Sequence, residues 1–316
     1  MKRLSIVATL LPLSLSGLFA QPYIRTYVAT TGADTATCGR HSTPCASFQQ
    51  AVANTAAGGE LDALDAGDFG QLFVGPSITI DGGPWMAGIN TIAGVGCTGV
   101  VTAAVCVIPG QASTVVLRNL SINLASSGNN YTGIETAPFF GAAVTVYIEN
   151  VQVTGAKDFC VYNSNASVVI RDSNFRNCGV SGVYSVGLAP VTIENVVISE
   201  SLIGVNVATG SGLLYPAGVF ASVAIHNSNI SQNGTGISVI SGPVPAVVTV
   251  DSTMVYKNGT GISAITGGVA QLSNVTVTGN GTGLVSGTGG SIVSFVNNRI
   301  NNNTTNGTPT SSVYMK

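Results

Sequence analysis

The chain has 316 residues, 45% of them hydrophobic, yet only 8% are charged and the formal net charge is −2, against roughly a quarter charged in an average soluble protein. Glycine (40) and asparagine (25) are plentiful while aromatic residues make up 6%. This excludes a charge-rich coiled coil, a basic nucleic-acid binder and a disordered acidic chain. It points instead to an all-β chain of many short strands and turns.

Residues 1–20 carry Lys2 and Arg3, then an apolar run from Leu4 to Phe19 that ends in Ala20. This is the layout of a secretory signal peptide. A membrane anchor is the alternative, but it needs about twenty uninterrupted apolar residues, and Pro12 and Gly17 break this run. Cleavage after Ala20 would remove two of the 11 basic residues, leaving 9 against 13 acidic ones, a net −4. The expected location is secreted, extracellular or periplasmic, with no nucleic-acid partner and no membrane association beyond the signal peptide.

Residues 21–60 read as an N-terminal segment with a short amphipathic helix over Ala46–Thr55. It places Phe48, Ala51 and Val52 on one face, with Pro44 near its first turn and Gly58-Gly59 beyond its end. Such a helix would cap the first coil, with Leu61, Leu64, Ile78 and Ile80 beginning the strands. The densest acidic cluster follows, Asp62, Asp65 and Asp68 in LDALDAGDFG. It is the one candidate site for a cofactor, calcium. It lacks the regular Asp/Asn/Gly loop of a known ligand set, and turn or strand-edge roles are the alternative.

Six cysteines fall into sequence-near pairs, Cys38–Cys45, Cys97–Cys106 and Cys160–Cys178. In an exported chain these read as three loop-pinning disulfides. Metal binding is the rival reading, set against by the absence of CxxC and by only two histidines, His41 and His226.

From residue 115 onward the chain repeats. VAIHNSNISQNGTGISV (223–239), VTVDSTMVYKNGTGISA (248–264) and AQLSNVTVTGNGTGLVS (270–286) share one pattern, with weaker copies before and a partial copy, IVSFVNNRI, after them. The apolar anchors Leu117, Ile148, Ile170, Ile193, Ile225, Val250, Leu272 and Phe295 are 22 to 32 residues apart. Each copy holds three short bursts of period-two alternation, so three strands per turn of a solenoid. Leucine-rich repeats would need several Leu per copy and a helical side, and a propeller blade needs about forty residues. A parallel β-helix remains, its coils stacked about 4.8 Å apart. Two residues past the anchors stand Asn119, Asn150, Asp172, Asn195, Asn227, Ser252, Asn274 and Asn297. Asparagine tolerates the left-handed backbone of a tight turn, and stacked amides can bond from coil to coil. A second column, Asn233, Asn258, Asn280 and Asn303, marks another corner, followed in its first three members by Gly-Thr-Gly, where glycine permits positive φ.

With these columns the chain resembles the secreted right-handed parallel β-helix proteins of the pectate-lyase-like superfamily, over about residues 23–303. The resemblance implies about ten coils over residues 61–303, with a polar tail at 304–316. It also implies that V-x-I is the second strand, x-I the third and G-I-x-V the first strand of the next coil. Glu135, Tyr162, Tyr184, Asn206, Ser238, Ser263 and Val285 are then the outward residues of the first strand, the face along which the resemblance implies that polysaccharide binds.

The strip Glu135–Tyr162–Tyr184–Asn206 is the candidate carbohydrate site, the rings offering a surface for the C–H face of a sugar. Its rival is that the tyrosines only cover strand backbone. The loops 137–144, with Phe139 and Phe140, and 208–222, with Tyr215 and Phe220, would wall a groove. The face lacks the clustered carboxylates and cationic base of a calcium-assisted lyase, and the chain lacks the paired aspartates and Gly-His-Gly of the superfamily's hydrolases. Glu135 and Asp158 are the only catalytic candidates. A further outward column, Arg118, Glu149, Arg171, Glu194, His226, Asp251, Ser273 and Val296, alternates in sign and reads as an ion-pair ladder; a catalytic reading would start from His226 between Glu194 and Asp251. The expected partner is an extracellular or cell-surface glycan bound without catalysis. A divergent polysaccharide lyase or hydrolase, and a structural or adhesive surface protein, are the alternatives.

Overall fold

The computed structural model describes residues 22–90, 97, 102–125, 131–138, 142–209 and 220–314. The signal-peptide residues, Phe139, Phe140 and Tyr215 lie outside them. The architecture is a right-handed parallel β-helix with three strands per coil. First strands stack in chain order into one nine-stranded parallel sheet, from Leu72–Val74 to Thr282–Ser286; second and third strands share a sheet of 19. The strands at Ser113–Asn123 and Val144–Thr154 run through both positions, bending at Asn119 and Asn150.

Inward alternation builds the core. Leu117, Ile148, Ile170, Ile193, Ile225, Val250 and Leu272 are paired in successive coils and fully buried. Each such side chain contributes about 1.5–3 kcal/mol on leaving water. The last copy departs from the expected phase. Ser294, not Phe295, pairs with Leu272 and is buried. The left-handed residue there is Val296 rather than Asn297, and Phe295 takes the place expected for Val296 in the outward column. A small polar residue occupies the inward position, so hydrophobicity alone reads this copy one residue late. Asn297 still accepts a hydrogen bond from the Asn274 backbone N–H (2.9 Å).

The seven earlier turn residues, from Asn119 to Asn274, all have φ between 48° and 55°. Their amides bond from coil to coil: Asn150 Nδ2 donates to Asn119 Oδ1 (2.7 Å), and Asn119 Nδ2 donates to Asp81 Oδ1 (2.7 Å). The second column has different chemistry. Positive φ falls one residue earlier, at Gln232, Lys257, Gly279 and Asn302. Asn233, Asn258 and Asn280 turn inward and are buried. Each accepts the backbone N–H of the preceding rung and donates to a third-strand carbonyl, as Asn258 does with Asn233 N (2.9 Å) and Ile230 O (3.1 Å). The glycines after them do not need positive φ. A Cβ on Gly236 or Gly261 would lie 2.5 Å from the backbone oxygen of the next coil, so close stacking selects glycine there.

Helix α1 (Phe48–Asn54) covers the first coils. Ser47 caps it by accepting from Gln50 N (3.2 Å), and Phe48, Ala51 and Val52 are buried, Phe48 against Phe69 at 5.1 Å between ring centroids. A strand that alternation did not reveal, Tyr23–Val28, precedes α1 and pairs in parallel with Thr55–Ala63. All three cysteine pairs are disulfides, with Cα separations of 5.0, 5.5 and 5.6 Å. No helix among the described residues is long and apolar enough to cross a membrane.

Candidate functional site: an aromatic strip on the first-strand face

Alternation sends every second residue of a strand outward, and the sheet register aligns these residues from coil to coil. Glu135 pairs with Tyr162, Tyr162 with Tyr184, Tyr184 with Asn206 and Asn206 with Ser238. The expected column is therefore continuous. The Tyr162 and Tyr184 centroids are 5.6 Å apart. Phe159 joins them, at 5.3 Å from Tyr162 and 5.2 Å from Tyr184. Sequence reasoning missed Phe159 because it follows the outward column alone. The available signal was an aromatic at a strand start that holds Ser, Ile or Thr in the next four coils.

The platform behind the rings is fixed. The Cys160–Cys178 disulfide ties the strand Phe159–Asn163 to the next corner. Buried Asn163 accepts from Thr136 Oγ1 (2.6 Å) and Ala166 N (3.0 Å), and donates to Ala166 O (3.0 Å). The Glu135 side chain is almost fully buried, at 1% exposure. Burial raises the Tyr162 hydroxyl above its ordinary pKa, helped by Tyr184 and the Glu135 charge, and burial raises Tyr184 too. Both phenols stay protonated at neutral pH and can donate hydrogen bonds. At the other end, Asn206 Oδ1 is shielded from solvent, and no donor among the described residues reaches it. Such an atom calls for a partner.

Asp158 directly precedes the strand of Phe159 and Tyr162, outside the outward column, and partial burial raises its carboxyl. Its backbone carbonyl accepts from Val180 N (2.8 Å) and Ser181 N (3.2 Å). Phe220 does not wall the strip. It lines a 530 Å³ depression on the second-strand face, with Pro190, Thr192, Pro245 and Thr249.

The acidic cluster read from the sequence separates in space. Asp62 pairs with Arg25; Asp65 accepts from Thr30 N (2.9 Å) and Thr30 Oγ1 (2.6 Å); Asp68 accepts from Asn90 N (2.9 Å) and Gly70 N (3.2 Å). Residues three apart around a turn leave the strand in different directions. The carboxylates that do converge are Glu60, Asp62 and Asp81, with oxygens within 4.8 Å of one another. Arg118 bridges two of them, to Glu60 and Asp81 at 2.7 Å each, and Arg25 holds the third. In the charge column Arg171 pairs with Glu194 at 3.2 Å. His226 stands in register between Glu194 and Asp251, with no ion pair to either among the described residues.

No protein-family model matches the chain, and no curated protein matches it in sequence. Among solved structures, the A-module of the Azotobacter vinelandii mannuronan C-5 epimerase AlgE4 superposes with a TM-score of 0.55 at 13% identity, over 82% of this chain and 91% of that one. The pectate lyase Pel9A superposes with a TM-score of 0.53 at 12% identity, over 87% of this chain and 76% of that one. The chain shares the pectate-lyase-like β-helix fold. At this identity the likeness speaks for the fold alone.

Proposed function

We propose that the protein is a secreted, non-catalytic β-helix that binds extracellular or cell-surface polysaccharide along the strip from Glu135 through Tyr162 and Tyr184 to Asn206. The observation that carries this reading is the ring patch of Phe159, Tyr162 and Tyr184. The patch offers apolar ring surface to the C–H face of a pyranose, while two protonated phenols bond its hydroxyls. Three disulfides and the N-terminal apolar run support export, and the likeness to an epimerase and a lyase module supports a polysaccharide partner.

Replacing Tyr162 and Tyr184 by alanine together tests the reading. Retention on immobilised polysaccharide is expected to fall at least about tenfold, the loss of two stacking contacts, while the melting temperature drops by only a few degrees. Unchanged retention would overturn it.

A second reading, a polysaccharide lyase or hydrolase, is favoured by one feature: the buried Glu135 carboxylate influences Tyr162 electrostatically, while burial raises Asp158 toward a proton-holding acid. It predicts new soluble oligosaccharides, detected by mass spectrometry and abolished by Glu135→Gln or Asp158→Asn. A blank over a broad polysaccharide panel, with and without calcium, leaves the binding reading.

A further inference from the structure

This inference rests on the polysaccharide-binding reading and narrows its ligand. We infer that the strip takes an uncharged polysaccharide and discriminates against polyuronates.

The nine strands of the first-strand sheet contain no Lys, Arg or His, and their single carboxylate is Glu135. The outward positions two residues beyond the strip are equally uncharged: Val186, Ala208, Ile240 and Ile265 stand in register there. Four guanidinium groups are paired elsewhere, Arg25 and Arg118 with the Glu60, Asp62 and Asp81 carboxylates, Arg171 with Glu194 and Arg176 with Glu200. The cation closest in sequence, exposed Lys157, has Asp158 as its neighbour.

Recognition of a carboxylate in each sugar calls for guanidinium forks, ammonium groups or a metal bridge along the chain. This face supplies none of these from its strands. The aromatic patch points the same way. Phe159, Tyr162 and Tyr184 offer apolar surface and two phenol hydroxyls, and a neutral pyranose chain matches both, laying its C–H face on the rings and its hydroxyls against the phenols.

The test is calorimetric titration of the mature, disulfide-bonded protein. The probes are cello-, xylo-, manno- and galacto-hexaoses on one side, and galacturonate and mannuronate hexamers on the other, at low and high salt, with calcium and with chelator. At least one neutral hexaose is expected to bind with an affinity that salt and chelator leave unchanged, and at least about tenfold tighter than either uronate. Binding of a uronate as tight as the best neutral probe, weakened by salt or dependent on calcium, would overturn the inference while leaving the polysaccharide-binding reading intact. Failure of every probe of both kinds would overturn the reading itself.

Discussion

Asparagine does two unlike jobs in this solenoid, and the difference sets what each residue is worth. Asn258 is 3% exposed; its side chain accepts the backbone N–H of Asn233 and donates to the carbonyl of Ile230. Alanine at this position would strand both backbone groups in the interior, at about 1–3 kcal/mol each. Asn195 sits at φ 53° in the exposed column, its amide bonded to Asp172. Alanine there meets the left-handed backbone penalty of about 1–2 kcal/mol, and glycine escapes it. Asn258→Ala is therefore expected to lower unfolding free energy by roughly 2–6 kcal/mol, Asn195→Ala by about 1 kcal/mol and Asn195→Gly by less. Urea denaturation measures all three, and equal losses at the two asparagines would refute the division.

At the scale of a strand column, Arg118 ties Asp81 to Glu60 on the second-strand face, and a pH dependence of stability follows from Asp81. Burial pushes the Asp81 carboxyl up, but hydrogen bonds from Asn119, the Gly83 backbone and Arg118, together with the Arg118 charge, outweigh it and hold the group below its ordinary value. A carboxyl lowered in the folded state adds stability that is complete above its unfolded pKa, about 3.9, and disappears as pH falls through the folded value. The stability gap between the wild type and Asp81→Asn, read from urea unfolding at a series of pH values, is expected to be flat from neutral pH to about 5. It should close below about 4; a gap that widens on acidification would count against the pairing. This column also shows what was legible beforehand. The alternation of G-I-x-V, phased by the turn asparagines, was enough to place Glu135, Tyr162, Tyr184 and Asn206 in one register, because every strand residue points in or out. It failed where chemistry depends on contacts between columns or around turns. Phe159 meets the tyrosines across two columns, Asp62, Asp65 and Asp68 diverge around a turn, and Ser294 takes an inward place that an apolar anchor was expected to fill.

For the whole molecule, a stack of coils separates its roles by face, rings and neutral side chains on the first strands and ion pairs on the second, but it leaves two ends to close. Helix α1 covers the N-terminal end. The C-terminal end is closed by the residues after Asn303. Asn306 Oδ1 accepts from the Asn303 backbone (3.2 Å) and side chain (3.0 Å), as a next rung would, and its carbonyl takes the Leu284 N–H (3.0 Å). Thr310 Oγ1 accepts from Ile292 N (2.9 Å), and Ser311 and Ser312 pair with Val293 and Ser294. Residues 304–312 thus supply a final layer of backbone partners, and without them the strands Thr282–Ser286 and Ser291–Ser294 would present open edges, which template pairing with other chains. A chain ending at Asn303 is expected to melt several degrees lower and to form larger species in size-exclusion chromatography with light scattering, relative to the full chain at equal concentration. Asn306→Ala, which removes the rung but keeps the covering strand, should lower the melting temperature without changing the size distribution. A truncated chain with the mass distribution and melting temperature of the full one would show that the last coil is stable uncovered.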